Sequence, residues 1–372
     1  MTVAARPALR QTAIISHLRG RIVSGELKPG DRLPTRVEIE KLFGASPTTV
    51  QRALGQLITD GFVTPAGRRG TFVSEYPPHL YHYALAFPLQ ADDPSWVRFW
   101  TVLASAAESH ASNRPVKITI YRGIEPGKGG TDRQRLEDDI AGGRLAGVIF
   151  AADPWPLKGT AALETPGLPR VAFTGVPGET KVAGVSLGGN AGLLFFEKAL
   201  DFVASRRRKR VALLTVPGMS GVRLQGFRNA LVERGLTYQP CWIQTASQAE
   251  PHWATHLILL MFRGPRAERP DALIIADDNL VEHACAGLLQ LGLGVPDEVD
   301  VVAHCNFPAP TPPILPVARL GYDIPQVLEK CIGLLSRQRC KEAVPPTTVI
   351  APLFEWETAD RDAPRPVGLS AP

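Results

Sequence analysis

Thr48, Gln51 and Arg52 place hydrogen-bonding side chains on one side of a predicted helix, and that pattern suits reading the edges of DNA bases. At about 100° per residue, Val50, Ala53, Leu54 and Leu57 form an apolar stripe, while Thr48, Gln51, Arg52 and Gly55 fall opposite. Arginine pairs with guanine and glutamine with adenine through two parallel hydrogen bonds; threonine meets a phosphate or a thymine methyl. Arg68 and Arg69, flanked by Gly67 and Gly70, sit at the tip of a predicted hairpin, Phe62–Val73. Such a tip meets the phosphate backbone or the minor groove. With Arg36 and Thr49 these residues make up the candidate DNA-contacting set: Arg36, Thr48, Thr49, Gln51, Arg52, Arg68 and Arg69.

The elements that must position them are marked by their own start signals. Thr35-Arg36-Val37-Glu38 is a capping box, in which the threonine caps the helix and the glutamate reaches back. Ser46-Pro47 is an N-cap followed by proline at the first helical position. Phe43-Gly44-Ala45 supplies the turn between the two helices. Helix, turn, helix and basic hairpin in that order predict a winged helix-turn-helix over residues 1–76.

Charge supports this division. The chain has 372 residues, 41 Lys/Arg and 36 Asp/Glu; 11 of the bases and 6 of the acids lie in residues 1–76, leaving thirty of each in the remainder. The whole net charge of +5 therefore sits on the N-terminal unit, as a nucleic-acid module joined to a neutral body would have it. The five cysteines are scattered and never spaced Cys-x-x-Cys, which indicates neither a disulfide framework nor a zinc site. No cofactor is expected. The N-terminus lacks the apolar core of a signal peptide, and no stretch of about 18 apolar residues is present, so a cytoplasmic location is expected.

Residues 77–80 read as a short proline-containing connector, 81–358 as a second domain, and 359–372 as a disordered tail. Within the second domain, apolar runs at Tyr83–Phe87, Val116–Tyr121, Gly147–Ala151, Arg170–Thr174 and Val182–Leu187 alternate with helical patterns. A second series follows at Arg210–Val216, Cys241–Gln244, Ala272–Ala276 and Val299–Ala303. Alternation of this kind predicts parallel sheets flanked by helices, and two groups of strands predict two lobes. Ligands of open parallel sheets bind beyond the carboxyl ends of the strands. That rule selects Asp92, Asp93 and Trp96, then Asp153 and Trp155, and in the second lobe Arg223, Asp278, His304 and Asn306. Carboxylates and arginine suit a small polar ligand, and tryptophan suits an apolar face of it.

Several of these residues also have a purely structural reading. Trp96 can pack with Phe99 and Trp100, Asp277 can cap the next helix, and His304 can be a core histidine. Cys305 reads as a small buried residue, since no paired base accompanies it. The run Arg206–Arg210 either touches DNA or closes a helix at its carboxyl end, where cations are favourable.

Residues 11–75 resemble the winged helix of the GntR family of bacterial transcription regulators, on Lys28-Pro29-Gly30-Asp31-Arg32-Leu33-Pro34 and Ser46-Pro47-Thr48-Thr49-Val50. Val37, Pro47 and Gln51 stand where many members have arginine, so the resemblance does not carry over an operator sequence. The second domain resembles the sugar-binding domain of the LacI/GalR family, a periplasmic-binding-protein-like fold. The match rests on Gly221-Val222-Arg223-Leu224-Gln225-Gly226-Phe227, on Arg269 to Asp278, and on Gly292 to Val302. Together the two resemblances point to arabinose-type repressors. They imply a homodimer that binds a palindromic operator, with a small sugar-like effector between the lobes. Two aspartates common in LacI-like proteins are missing, at Ala303-His304-Cys305-Asn306 and near Gly188-Gly189-Asn190.

Overall fold

The computed structural model describes residues 5–110, 115–127, 132–174, 182–187, 193–308 and 313–362. The small unit starts with α1 (Ala5–Val23), α2 (Arg36–Phe43) and α3 (Pro47–Thr59). Thr35 caps α2 in a complete capping box, and Gly44 ends it in the left-handed conformation at φ 55° that glycine adopts without strain. Ser46 accepts the Thr49 amide at 3.3 Å to start α3, with Pro47 in the first turn. The two strands of the wing, β1 (Val63–Pro65) and β2 (Thr71–Val73), pair antiparallel across a tight turn at Gly67–Arg69. Ile14, Leu18, Ile22, Ile39, Val50, Ala53, Leu57 and Phe62 close the core beneath them.

The connector is built, not slack. Residues Pro78–Tyr81 form a helical turn, α4, between Pro77 as its cap and the first strand of the large domain. His79 stacks on Phe62 with ring centroids 6.0 Å apart, and Arg144 of the large domain lies 3.8 Å from Asp60 at the end of α3.

The large domain consists of two six-stranded sheets. The first contains β3 (His82–Ala86), β4 (Lys117–Tyr121), β5 (Gly147–Phe150), β6 (Arg170–Phe173), β7 (Ala183–Leu187) and, returning late in the chain, β13 (Thr347–Ile350). Its strand pairs are parallel, and α5 (Arg98–Glu108), α6 (Asp132–Ala141), α7 (Ala161–Glu164) and α12 (Ile324–Arg339) accompany them. The second sheet contains β8 (Val211–Thr215), β9 (Ile243–Thr245), β10 (Ala272–Ile275), β11 (Asp300–Phe307), β12 (Ala318–Asp323) and an antiparallel edge strand, β14 (Leu353–Phe354). Its helices are α8 (Leu193–Ser205), α9 (Gly221–Glu233), α10 (Trp253–Phe262), α11 (Val281–Gln290) and α13 (Glu355–Asp362). The central strands are buried on both faces, which explains why they are apolar runs and not alternating patterns.

The chain crosses between lobes after β7, after β12 and after β13, so each lobe is completed by segments distant in sequence. Helix α13 extends through Asp362, so residues 359–362 of the expected tail are helical. The rest of the expected tail, 363–372, lies outside the described residues, as do Gly188-Gly189-Asn190. The run at Arg206–Arg210 closes the carboxyl end of α8, as one of its two readings expects, with Arg206, Arg207 and Arg208 donating their amides to Phe202, Ala204 and Val203, and its side chains turn to carboxylates. Arg206 and Arg208 both hold Asp300, at 3.3 and 2.5 Å, and Arg210 holds Asp271 at 3.3 Å.

Candidate functional site

On the winged helix, α3 buries Thr49, Val50, Ala53, Leu54 and Leu57 and exposes Thr48, Gln51 and Arg52. Arg36 at the start of α2, and Arg68 and Arg69 at the wing tip, are exposed as well. Thr49 departs from the expected set: it is buried, and its hydroxyl lies 2.9 Å from that of Ser46. The residue serves the helix start and offers nothing to a ligand. The six exposed residues leave a donor-rich surface of the type that DNA-reading helices and wings present.

In the large domain a cavity of about 270 Å³ opens between the lobes. Arg98 and Val102 of α5 form its first-lobe wall; the second lobe contributes Asp278, Glu282, Cys285 and the segment Ala303–Asn306. Strand β11 continues past the end of its neighbour β10, whose last residue Ile275 pairs with Ala303, so His304 and the residues after it project into the cleft. Asn306 is 2% exposed; its amide nitrogen donates to Asp278 at 2.8 Å, and its oxygen has no partner among the described residues. Burial raises the Asp278 carboxyl above the usual aspartate range, with nearby His304 pulling the other way. His304 lies 5.5 Å from the Phe195 ring and 5.7 Å from that of Tyr322, and its Nδ1 is buried without a partner among the described residues.

Arg223 stands at the start of α9, where Ser220 caps the helix by accepting the Arg223 amide at 3.2 Å. Its guanidinium lies 5.9 Å from the Phe196 ring, and its Nε is buried and without a partner among the described residues. Tyr322 neighbours it, and burial lowers the affinity of the guanidinium for its proton. Asp278, His304 and Asn306 line the cavity; Arg223 does not, and lies behind them beside Tyr322, whose ring is 5.7 Å from that of His304. Asp277 is engaged as a loop organiser, accepting from Gln248 at 2.7 Å and from the Asn279 amide at 2.9 Å. Burial pushes the thiols of Cys285 and Cys305 up to about 12, which leaves neither as a nucleophile.

The first-lobe residues chosen from sequence do not join this cluster. Asp93 accepts the Ser95 amide at 2.8 Å, and Asp153 accepts the Trp155 amide at 3.0 Å. Both carboxylates thus organise their own turns, and Asp92 is exposed beside the first of them. Trp96 packs on Phe87 and Trp100, with centroids 5.0 and 5.3 Å away, and donates to Thr101. Trp155 lies at a separate depression with Lys158 and Arg170. Sequence reasoning overlooked Arg98, whose amide donates to Asn279 at 3.0 Å and whose guanidinium reaches Glu282 at 3.0 Å, both across the cleft. It also overlooked Phe195, Phe196 and Tyr322; only three-dimensional proximity marks them.

Comparison with known proteins places this geometry. Residues 10–73 match the bacterial regulatory proteins of the gntR family, and residues 200–355 match the periplasmic binding protein-like domain. The arabinose metabolism transcriptional repressor of Geobacillus stearothermophilus is 25% identical over 297 residues, spanning 77% of this chain and 79% of that protein. The mannosyl-D-glycerate transport/metabolism system repressor MngR of Escherichia coli (strain K12) is 41% identical over 70 residues, 19% of this chain and 28% of its own length. Among solved structures, the transcriptional regulator CelR–cellobiose complex superposes with a TM-score of 0.54 at 20% identity, covering 87% of this chain and 98% of that one. A LacI family regulator from Lactobacillus casei with bound sucrose gives 0.52 at 16% identity, covering 74% and 98%. These relatives are transcription regulators and not enzymes. The chain joins a winged helix of the bacterial gntR regulatory type to a two-lobed periplasmic binding protein-like domain.

Proposed function

We propose that this protein is a sequence-specific, DNA-binding repressor whose operator affinity is controlled by a small polar ligand held between the two lobes of its large domain. The ligand is a sugar or sugar derivative, and the working unit is a cytoplasmic homodimer on a palindromic site. One observation carries the ligand half of this reading. At the carboxyl ends of the second-lobe strands, buried polar atoms of Arg223, His304 and Asn306 have no partner among the described residues. Buried polar groups are normally satisfied, and an exception in a cleft calls for a ligand. The similarity to an arabinose metabolism repressor over most of both chains supports a sugar-like occupant. The exposed face Thr48, Gln51 and Arg52, with Arg68 and Arg69 on the wing, supports the DNA half.

Control follows if the ligand favours one arrangement of the lobes over another, since a ligand shifts an equilibrium only by its differential affinity. The test is a thermal-shift screen of the full chain against pentoses, hexoses, sugar acids and sugar phosphates, followed by operator titration with and without the hit. A ligand that raises the melting temperature and changes operator affinity fits the reading; binding with no effect on DNA contradicts it. For the DNA half, Arg52→Ala should weaken specific binding by about 1–3 kcal/mol and relax preference at one base pair. Equal losses on operator and random DNA would show that Arg52 reads no base. A rival reading, in which the large domain only dimerises, requires a cleft filled by apolar side chains; the polar groups around Arg223 and Asn306 weigh against it.

A further inference from the structure

Among the described residues, the arginines of the winged helix sort into two groups by what their guanidinium groups touch. Arg10 donates to the Gly44 carbonyl, Arg21 bonds Glu26 at 2.7 Å, and Arg19 sits at the junction with the first lobe beside Asp60 and Gly143. Those three secure the fold. Arg36, Arg52, Arg68 and Arg69 are exposed and form no ion pair among the described residues, as suits cations that meet a polyanion. Arg32 shares both properties and stands outside the DNA-contacting set selected from sequence.

The strand register places it. Residues 31–33 run antiparallel to β2: the Leu33 amide donates to Thr71 at 2.9 Å, the Val73 amide donates to Asp31 at 2.8 Å, and Arg32 pairs with Phe72. Leu33 and Val73 turn into the core, so Arg32 leaves the opposite face of this small sheet. Its side chain runs toward the wing tip, where Gly70 leaves room for it. A Cβ at residue 70 would lie 2.9 Å from the Arg32 Nε. On the other side stands the start of α2. There the Thr35 hydrogen bonds hold the Glu38 carboxyl below its usual range, and the Arg32 charge adds to them. Both nearby acids already serve backbone caps: Glu38 that of α2, and Asp31 the Lys28 amide at 2.8 Å. Arg32 therefore bridges the gap between Arg36 on α2 and Arg68 and Arg69 on the wing.

Resting on the DNA half of the reading above, we propose that Arg32 is a further DNA contact, meeting a backbone phosphate between α2 and the wing and reading no base. Its stem is laid against Gly70, which keeps it from extending past the wing tip into a groove; a phosphate is the group within its reach.

The experiment is titration of the full chain, by fluorescence anisotropy, with two labelled duplexes of equal length. One is enriched by the full chain from a random-sequence pool, and the other is unselected random sequence. Each phosphate contact contributes a slope of about 0.9 in log affinity against log salt. Between about 50 and 200 mM salt, Arg32→Gln should therefore lose about 3.5-fold less affinity than the wild type, on both duplexes. At the low-salt end it should bind both more weakly and keep the preference for the enriched one. Arg32→Lys should keep most of the slope. Lys330→Gln removes the same charge from an exposed position on α12 and should leave the slope unchanged.

A salt slope in Arg32→Gln equal to that of the wild type overturns the proposal. If the melting temperature also falls in that variant, Arg32 only packs on the wing. A loss confined to the enriched duplex overturns it in another way, since Arg32 would then read a base. An equal change of slope in Lys330→Gln would reduce the effect to net charge and remove the contact. If the wild type binds neither duplex, the DNA half of the reading falls, and this proposal with it.

Discussion

The five basic residues at Arg206–Arg210 can be read in the sequence as a DNA contact or as the close of a helix, and the structure converts them into a stability prediction. Arg208 donates to Asp300 at 2.5 Å and to the carbonyls of Pro296, Asp297 and Glu298. The Asp300 side chain is 4% exposed, so removing Arg208 strands a carboxylate out of reach of water. Removing one partner of a buried pair typically costs about 3–5 kcal/mol. Arg206 remains 3.3 Å from the other oxygen of Asp300, which places Arg208→Ala at the lower end, about 3 kcal/mol. For a domain of this size that corresponds to a fall of roughly 6–12 °C in melting temperature.

The control is Lys209→Ala, an exposed residue of the same run with the same charge, which should change stability by no more than about 0.5 kcal/mol. Differential scanning calorimetry of the full chain measures both variants, and operator titration well below the melting transition measures DNA affinity. The structure requires a large melting shift for Arg208→Ala with operator affinity retained. An unchanged melting temperature together with a fall in affinity on all DNA sequences would show that the run binds phosphates, and the reasoning would fail.

Three further outcomes follow from the packing. His82 is 8% exposed, bonded to Thr119 at 2.7 Å, and lowered to about 4 by burial and then by Lys117. Its folded value lies below the unfolded one, so its contribution is intact above pH 6.5 and is lost as pH falls toward 4. Between pH 6.5 and 5 the loss is about 2 kcal/mol, and urea midpoints for His82→Gln should fall less over that window than those of the wild type; equal slopes would refute the assignment. Asn279→Ala removes the hydrogen bond from the Arg98 amide that spans the cleft, worth about 1 kcal/mol, and small-angle scattering of the ligand-free protein should show a larger radius of gyration. An unchanged radius would mean that this bond does not hold the lobes. Arg339 donates to the Leu80 carbonyl at 3.0 Å, so Arg339→Ala should keep ligand affinity while reducing the effect of ligand on operator binding; full coupling in the variant would exclude that contact from the linkage.

Much of the fold is visible in the sequence because parallel strands buried on both faces leave continuous apolar runs. Gly147–Phe150, Val211–Thr215 and Ala272–Ile275 are of this kind, within a residue of where pattern reading puts them. The elements that escaped lack such a signature. Strand β13, Thr347–Ile350, is a sheet edge with no buried residue, and α10 is apolar nearly all round, so no stripe reveals it. Helix α12 did announce itself, through the capping Asp323 two residues before Pro325, but that signal was passed over.

The site was half legible for a related reason. The rule that ligands gather beyond strand ends selects Asp278, His304 and Asn306, which line the inter-lobe cavity, and Arg223, which lies beside it. It failed for Asp93 and Asp153 because each is followed by proline and then accepts the amide of the residue after it. An Asp-Pro-x step after a strand marks a turn that consumes its own carboxylate, and this could have been read from the sequence.

The same geometry constrains how a signal from the cleft would reach DNA. Tyr322, beside Arg223, ends two residues before α12 begins, and α12 spans sixteen residues, about 24 Å of rigid helix. At its far end Arg339 bonds the carbonyl of Leu80 in α4, and His79 in the same turn stacks on Phe62 of the winged helix. Asp60, at the end of the recognition helix, faces Arg144 of the first lobe. A flexible tether would let the head forget what the lobes are doing. A short helical connector, pinned on one side by α12 and on the other by the wing, gives lobe movement something to push against, which is the physical condition for linkage between two sites.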